Sequence, residues 1–122
     1  GENPLYLPQA KVYAGSCAVG PGIRPAWEVP DPYALTISCV ITRTGQPAWK
    51  GEASTKSLHR RLDELAGYLF RELDFPEGVV LSTGTSLVPD LPFTLQPDDV
   101  ITVDITDVGT LVNTVVYGKD QL

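Results

Sequence analysis

The sequence predicts an α+β domain, mostly β, with one amphipathic helix at about residues 57–73. Three observations point there. Two segments alternate apolar and polar residues, one segment repeats leucine at helical spacing, and the rest is dense in proline and glycine. The order is strands, one helix, strands, which suits an α+β layout rather than a repeating βαβ fold.

Residues 1–32 hold Pro4, Pro8, Pro21, Pro25, Pro30 and Pro32, with Gly15, Gly20 and Gly22 between them. Proline fixes φ and removes a backbone donor, so this stretch is expected to be extended and loop-rich, with room for a short edge strand at residues 5–13. Residues 33–43 read as a strand, with Leu35, Ile37, Cys39 and Ile41 on one face and Thr36, Ser38, Val40 and Thr42 on the other. Thr44-Gly45-Gln46 signals a turn, and a second strand near Trp49 would complete a hairpin.

Leu58, Leu62, Leu65, Leu69 and Leu73, widened by Ala66 and Phe70, form the helical stripe. Ser54, Thr55 or Ser57 is placed to cap its start, and Asp74-Phe75-Pro76-Glu77-Gly78 to end it. The apolar face is expected to lie on a sheet. Residues 79–81 read as a short apolar strand opening into Ser82-Thr83-Gly84-Thr85-Ser86, followed by a loop through Pro89, Pro92 and Pro97. Residues 100–105 alternate again, Asp107-Val108-Gly109 turns the chain, and residues 111–117 return as a strand.

A chain of 122 residues suits one domain. Its 43% apolar and 20% charged residues argue against disorder, and a net charge of −6 argues against a nucleic-acid partner, which needs a basic face. No apolar stretch approaches the ~20 residues of a membrane helix, and no signal-peptide pattern opens the chain. Cys17 and Cys39 allow at most one disulfide and read as buried, reduced thiols, in keeping with a cytoplasmic setting. The start at Gly1 and the absence of methionine leave open a tag remnant, processing, or a cut through a longer polypeptide.

The chain carries no phosphate-binding glycine loop, HExxH, CxxC or nucleophile elbow. His59, the one histidine, reads as a solvated residue on the helix's polar side. Asp98, Asp99, Asp104 and Asp107 read as solvation of a hairpin rather than as a carboxylate cage, which needs ligands converging on one point. Lys11 lies between apolar neighbours close to a glycine-rich loop. Thr83-Gly84-Thr85 combines hydroxyls with backbone N–H groups at the end of an apolar segment, a combination that suits a carboxylate and equally a plain turn.

These motifs together resemble the fumarylacetoacetate hydrolase family. Leu7-Pro8-Gln9-Ala10-Lys11-Val12-Tyr13 with Gly15-Ser16-Cys17-Ala18-Val19-Gly20-Pro21 resembles the middle of its members. Glu28-Val29-Pro30-Asp31-Pro32 is similar to an acidic-Pro-Asp-Pro step, and Leu81-Ser82-Thr83-Gly84-Thr85 to a Thr-Gly-Thr loop. Leu95-Gln96-Pro97-Asp98-Asp99-Val100 resembles a Leu-x-Pro-Gly-Asp-Val signature, and Gly109-Thr110-Leu111-Val112-Asn113 a Gly-x-Leu-x-Asn turn and strand. The helical stretch is similar to a branch that dehydrates 2-keto-3-deoxy sugar acids.

The resemblance implies a mixed β-sandwich roll and a metal-dependent enzyme acting on 2-oxo or diketo acids by C–C hydrolysis, isomerisation or dehydration. It implies Lys11 as the active-site lysine, Thr85 as the contact to the substrate carboxylate, and Thr83 and Gly84 as shapers of that loop. It implies Mg2+, or Mn2+ or Ca2+, held by a Glu-x-Glu pair and an aspartate upstream of the lysine. Only ten residues precede Lys11, and the first aspartate is Asp31, so no metal ligand is expected within these residues. Residues 1–122 then correspond to the C-terminal portion of one catalytic domain. That portion would be incomplete and inactive alone, would partner an upstream N-terminal portion, and would form a homodimer. Departures are Ser86-Leu87-Val88-Pro89 after Thr-Gly-Thr, where Pro-x-Gly-Val-Gly is usual, and Asp98 where glycine is usual. The alternative is a non-enzymatic β domain that binds a small acid or protein partner through residues 83–85.

Overall fold

The computed structural model describes Leu5 and residues 11–118. Its centre is a four-stranded sheet of order β2-β1-β3-β4, antiparallel throughout. The strands are β1 (Thr36–Arg43), β2 (Gln46–Ser54), β3 (Val100–Ile105) and β4 (Gly109–Thr114), with helix α1 (Leu62–Leu69) between β2 and β3. The α+β, mostly-β class read from the sequence is the class the structure shows. Most of residues 5–13, where an edge strand was expected, lie outside the described residues; 11–13 are not strand.

The β1–β2 hairpin closes in two residues because Thr44 and Gly45 both take positive φ, 49° and 76°. That turn twists with the right-handed twist of its strands. Pairing then shifts beyond Ile41↔Trp49 to Thr42↔Pro47. A bulge is where a proline, lacking a ladder donor, fits best. Before β1, the Asp31 carboxylate accepts the N–H of Tyr33 at 2.9 Å and turns the chain into the strand.

Helix α1 is shorter than the sequence suggests and stands differently. Residues 58–61 are not helical, and the N-cap Arg61 is extended (φ −71°, ψ 150°). Ser54 does cap a helix start, but that of a 3-10 turn at Thr55–Ser57, through the N–H of Lys56. The first amide of α1, on Leu62, instead donates to the Tyr33 hydroxyl at 2.9 Å, while the Arg61 guanidinium lies 4.9 Å from the Tyr33 ring centre. The helix makes no extensive contact with a strand. Leu62, Leu65 and Leu69 are half-buried, whereas Phe70 and Leu73 are exposed. An eight-residue helix has little stability of its own and depends on the partial burial of Leu62, Leu65 and Leu69. Residues 79–81 also depart from expectation: they are exposed and unpaired, because no neighbouring strand accepts their backbone.

The most enclosed side chain among the described residues is charged. Asp99 has no solvent exposure; the buried apolar residues among those described are Leu35 and Ile41. Reading Asp99 as hairpin solvation was therefore wrong. Arg43 grips its carboxylate with two parallel bonds, Nε to Oδ1 at 2.8 Å and Nη2 to Oδ2 at 2.7 Å. The N–H of Gln96 adds a third at 2.9 Å. Arg43 also donates to the Thr94 carbonyl at 2.9 Å and sits 5.4 Å from the Phe93 ring centre. The Asp99 backbone extends the β3–β4 ladder, accepting from the N–H of Val115 at 2.8 Å. Asp98, at the position where the family motif has glycine, takes φ 69°, the left-handed conformation that glycine favours and aspartate tolerates.

The hydrogen bonds from Arg43, the largest influence, outweigh burial and hold the Asp99 carboxyl down from its ordinary 3.8 to about 2. A lowered carboxyl stabilises the fold above its unfolded value and loses that contribution as pH falls through the folded value. We predict that Asp99→Asn lowers the urea midpoint at neutral pH, and that its deficit relative to wild type shrinks between about pH 4 and pH 2. Asp98→Gly should stay within about 1 kcal/mol of wild type, whereas Asp98→Val should cost about 1–3 kcal/mol, both read from chemical denaturation.

Candidate active site

The residues singled out for chemistry do not all meet. Thr83, Gly84 and Thr85 form an exposed loop that faces the end of β2 and the segment after it across a recess of about 180 Å³. Gly84 adopts φ 92°, which lets the loop reverse without strain. The Thr85 Oγ1 accepts the N–H of Leu87 at 2.9 Å. Its lone pair is thereby committed while its own proton remains to be donated, which suits an incoming carboxylate oxygen.

Leu87 anchors the loop to the sheet. A Cβ added at Gly51 would stand 3.1 Å from Leu87 Cδ2 and would collide with the Trp49 ring. The missing side chain at Gly51 is what lets Trp49 lie along β2 and Leu87 settle beside it. The opposite wall carries Ser57 and His59. His59 lies ahead of α1 rather than on the helix's polar side, because the helix begins only at Leu62. It is exposed as expected, but it lines this recess, a placement the helical reading concealed.

Lys11 is exposed and is not among the residues lining the recess; its carbonyl accepts from the Ser16 hydroxyl at 3.1 Å. Cys17 is exposed and Cys39 half-buried, so the reading of both as buried thiols fails for Cys17; both are free. Burial pushes the Cys39 thiol up. Another recess, about 330 Å³, lies between Gly20–Ile23 and the β3–β4 hairpin. Its charged groups, Arg24 and Glu28, pair with each other at 3.1 Å.

Among the described residues, no three histidine, cysteine, aspartate or glutamate side chains converge to hold a metal ion. Asp99 is committed to Arg43, and Asp104 accepts a short hydrogen bond from Thr110. The residues described here do not fit a divalent cation by themselves. No described helix is long and apolar enough to cross a membrane.

Comparison with known proteins decides the family. The family described as "Fumarylacetoacetate (FAA) hydrolase C-terminal" matches residues 2–116. The chain belongs to the fumarylacetoacetate hydrolase family. Within it, the chain is 41% identical over 114 residues to the 2-dehydro-3-deoxy-D-arabinonate dehydratase of Saccharolobus solfataricus, covering 93% of this chain and 38% of that protein. It is 45% identical over 115 residues to a probable 2-keto-3-deoxyxylonate dehydratase of Haloferax volcanii, covering 94% of this chain and 40% of the relative. Among solved structures, it is similar to a 2-keto-3-deoxy-D-arabinonate dehydratase complexed with magnesium and 2,5-dioxopentanoate. That match has a TM-score of 0.90 and 40% identity, and covers 97% of this chain and 42% of that one. The apo form matches with a TM-score of 0.91. The chain thus spans about two-fifths of the length of these relatives. These relatives are sugar-acid dehydratases, the branch that the sequence resembles.

Gly51→Ala should displace Trp49 and Leu87 together, costing about 1–3 kcal/mol as an overpacked site. The loop should loosen with it. Tryptophan emission and amide exchange at Thr85–Leu87 are the measurements, and an unchanged Leu87 amide would separate the loop from the sheet.

Proposed function

We propose that this chain supplies the carboxylate-binding side of a dehydratase that acts on 2-keto-3-deoxy sugar acids. The observation that carries this reading is the Thr83–Thr85 loop, with a hydroxyl fixed in position and free to donate, in a chain at least 40% identical to such dehydratases. Thr85 donates to the substrate carboxylate, and Thr83 and Gly84 hold the loop open around it.

The chemistry follows from the substrate. In a 2-keto-3-deoxy acid the ketone acidifies the C3 protons, and loss of one gives an enolate with a hydroxyl on C4. Expulsion of that hydroxyl as water, with a proton, completes the elimination. A group that places positive charge by the C2 oxygen as the enolate forms lowers the barrier, and a lysine ammonium does this without changing protonation state. Lys11 is assigned that role by the resemblance. Lys11 does not line the recess, so this role rests on the resemblance alone.

A relative's structure is complexed with magnesium and 2,5-dioxopentanoate. The resemblance implies that the carboxylates for such a cation, magnesium or else manganese or calcium, come from an N-terminal portion that packs against this one; no cluster among the described residues would hold it. The open surface supports a partner of that kind, or a second copy in a homodimer. The chain exposes 9844 Å², against about 6,400 Å² for a compact monomer of its mass. Ile23 and Trp27 are 92% and 87% exposed.

In the full enzyme, Lys11→Ala should lower kcat about 10²–10³-fold with KM little changed, while Thr85→Val should raise KM about tenfold. Steady-state kinetics on a 2-keto-3-deoxy acid separate the two; wild-type turnover with both variants unaffected would remove these roles.

A further inference from the structure

The wall opposite the Thr83–Thr85 loop has polar groups that the fold itself does not use. Ser54 and Thr55 are committed, the first to the Leu35 carbonyl and the Lys56 amide, the second to the Leu35 backbone. Ser57 and His59 are different. Among the described residues their side chains, like that of Thr83, have no hydrogen-bond or ion-pair partner. All three line the same recess, whose floor is apolar, with Ile37 and Leu58. His59 is the one titratable side chain on its lining. Lys56, Arg60 and Arg61 neighbour it in sequence, and Arg61 is occupied by Asp63 at 3.3 Å and by the Tyr33 ring.

A small acid seated with its carboxylate on residues 83–85 presents its far end across the recess. A simple 2-oxo acid offers only hydrocarbon there. A 2-keto-3-deoxy sugar acid offers hydroxyls, which both donate and accept. An imidazole has one nitrogen of each kind and meets such a group in either sense. A site that hydrogen-bonds a hydroxyl also rejects the analogue that lacks it, because its polar groups are then left unpaired.

Resting on the carboxylate role given to the Thr83–Thr85 loop, we propose that His59 is a specificity-determining residue: it contacts the hydroxylated end of the substrate and selects sugar acids over unsubstituted 2-oxo acids.

The test uses the labelled 122-residue chain and two five-carbon probes, 2-keto-3-deoxy-D-arabinonate and 2-oxopentanoate, followed by NMR. The sugar acid should shift the amides of residues 83–85 and the His59 ring resonances. The unsubstituted acid should shift the amides alone. His59→Leu should raise the Kd of the sugar acid about tenfold and leave that of 2-oxopentanoate unchanged, the size expected for one lost hydrogen bond. His59→Gln, which keeps a donor and an acceptor, should restore most of the affinity. If the amides respond and the ring does not, His59 has no such role while the loop keeps its own. If the ring responds equally to both acids, His59 touches the shared acid end and the selectivity claim falls. If neither probe moves the amides, both readings fail together.

Discussion

Asp99 is shielded from water and ionised at neutral pH, so everything near it must answer its charge. A buried carboxylate without a partner is strongly destabilising. Arg43 answers with a bidentate grip, and Gln96 closes the remaining direction with its amide. These contacts tie three parts of the chain at one point: the end of β1, the loop before β3, and, through the Asp99 backbone, the end of β4. Asp98, directly before it, takes the left-handed conformation. With only Leu35 and Ile41 buried among the apolar side chains of the described residues, this ion pair does much of the fastening that a hydrophobic core usually does.

The candidate site depends on that fastening at one remove. Once Arg43 fixes the far end of the β1–β2 hairpin, β2 runs back to Ser54 and delivers residues 55–59 to one wall of the recess. The Thr83–Thr85 loop forms the other wall and is held by Leu87 beside Gly51 and Trp49. The geometry of the recess is therefore a property of the hairpin. A small residue at Gly51 and a committed oxygen on Thr85 matter as much as the groups that would touch a ligand.

Much of this fold was legible from periodicity and turn chemistry. Thr44-Gly45 announced a tight hairpin, and the alternation at residues 100–105 fell on a real strand. The failures share a cause: each needed tertiary information. The leucine stripe at 58–73 has the right spacing, but only Leu62–Leu69 is helical, and Phe70 and Leu73 beyond it are exposed. Residues 79–81 have strand composition and no partner. Asp99 looked like one of several surface acids because its partner, Arg43, is distant in sequence. The signal available was its place directly before an apolar strand, at the aspartate of a family motif. His59 lines the recess instead of a helix face because α1 begins only at Leu62. Lys11 and Thr85 came from the resemblance, and the structure brings only Thr85 to the recess.

The proposed function divides the labour: this chain would offer a hydroxyl-bearing loop for an acid, and the carboxylates for a cation would come from elsewhere. Isothermal titration of the 122-residue chain with magnesium, paired with an assay on a 2-keto-3-deoxy acid, tests that division directly. The account predicts no saturable magnesium binding and no turnover by the chain alone. Stoichiometric magnesium binding accompanied by dehydration would contradict it.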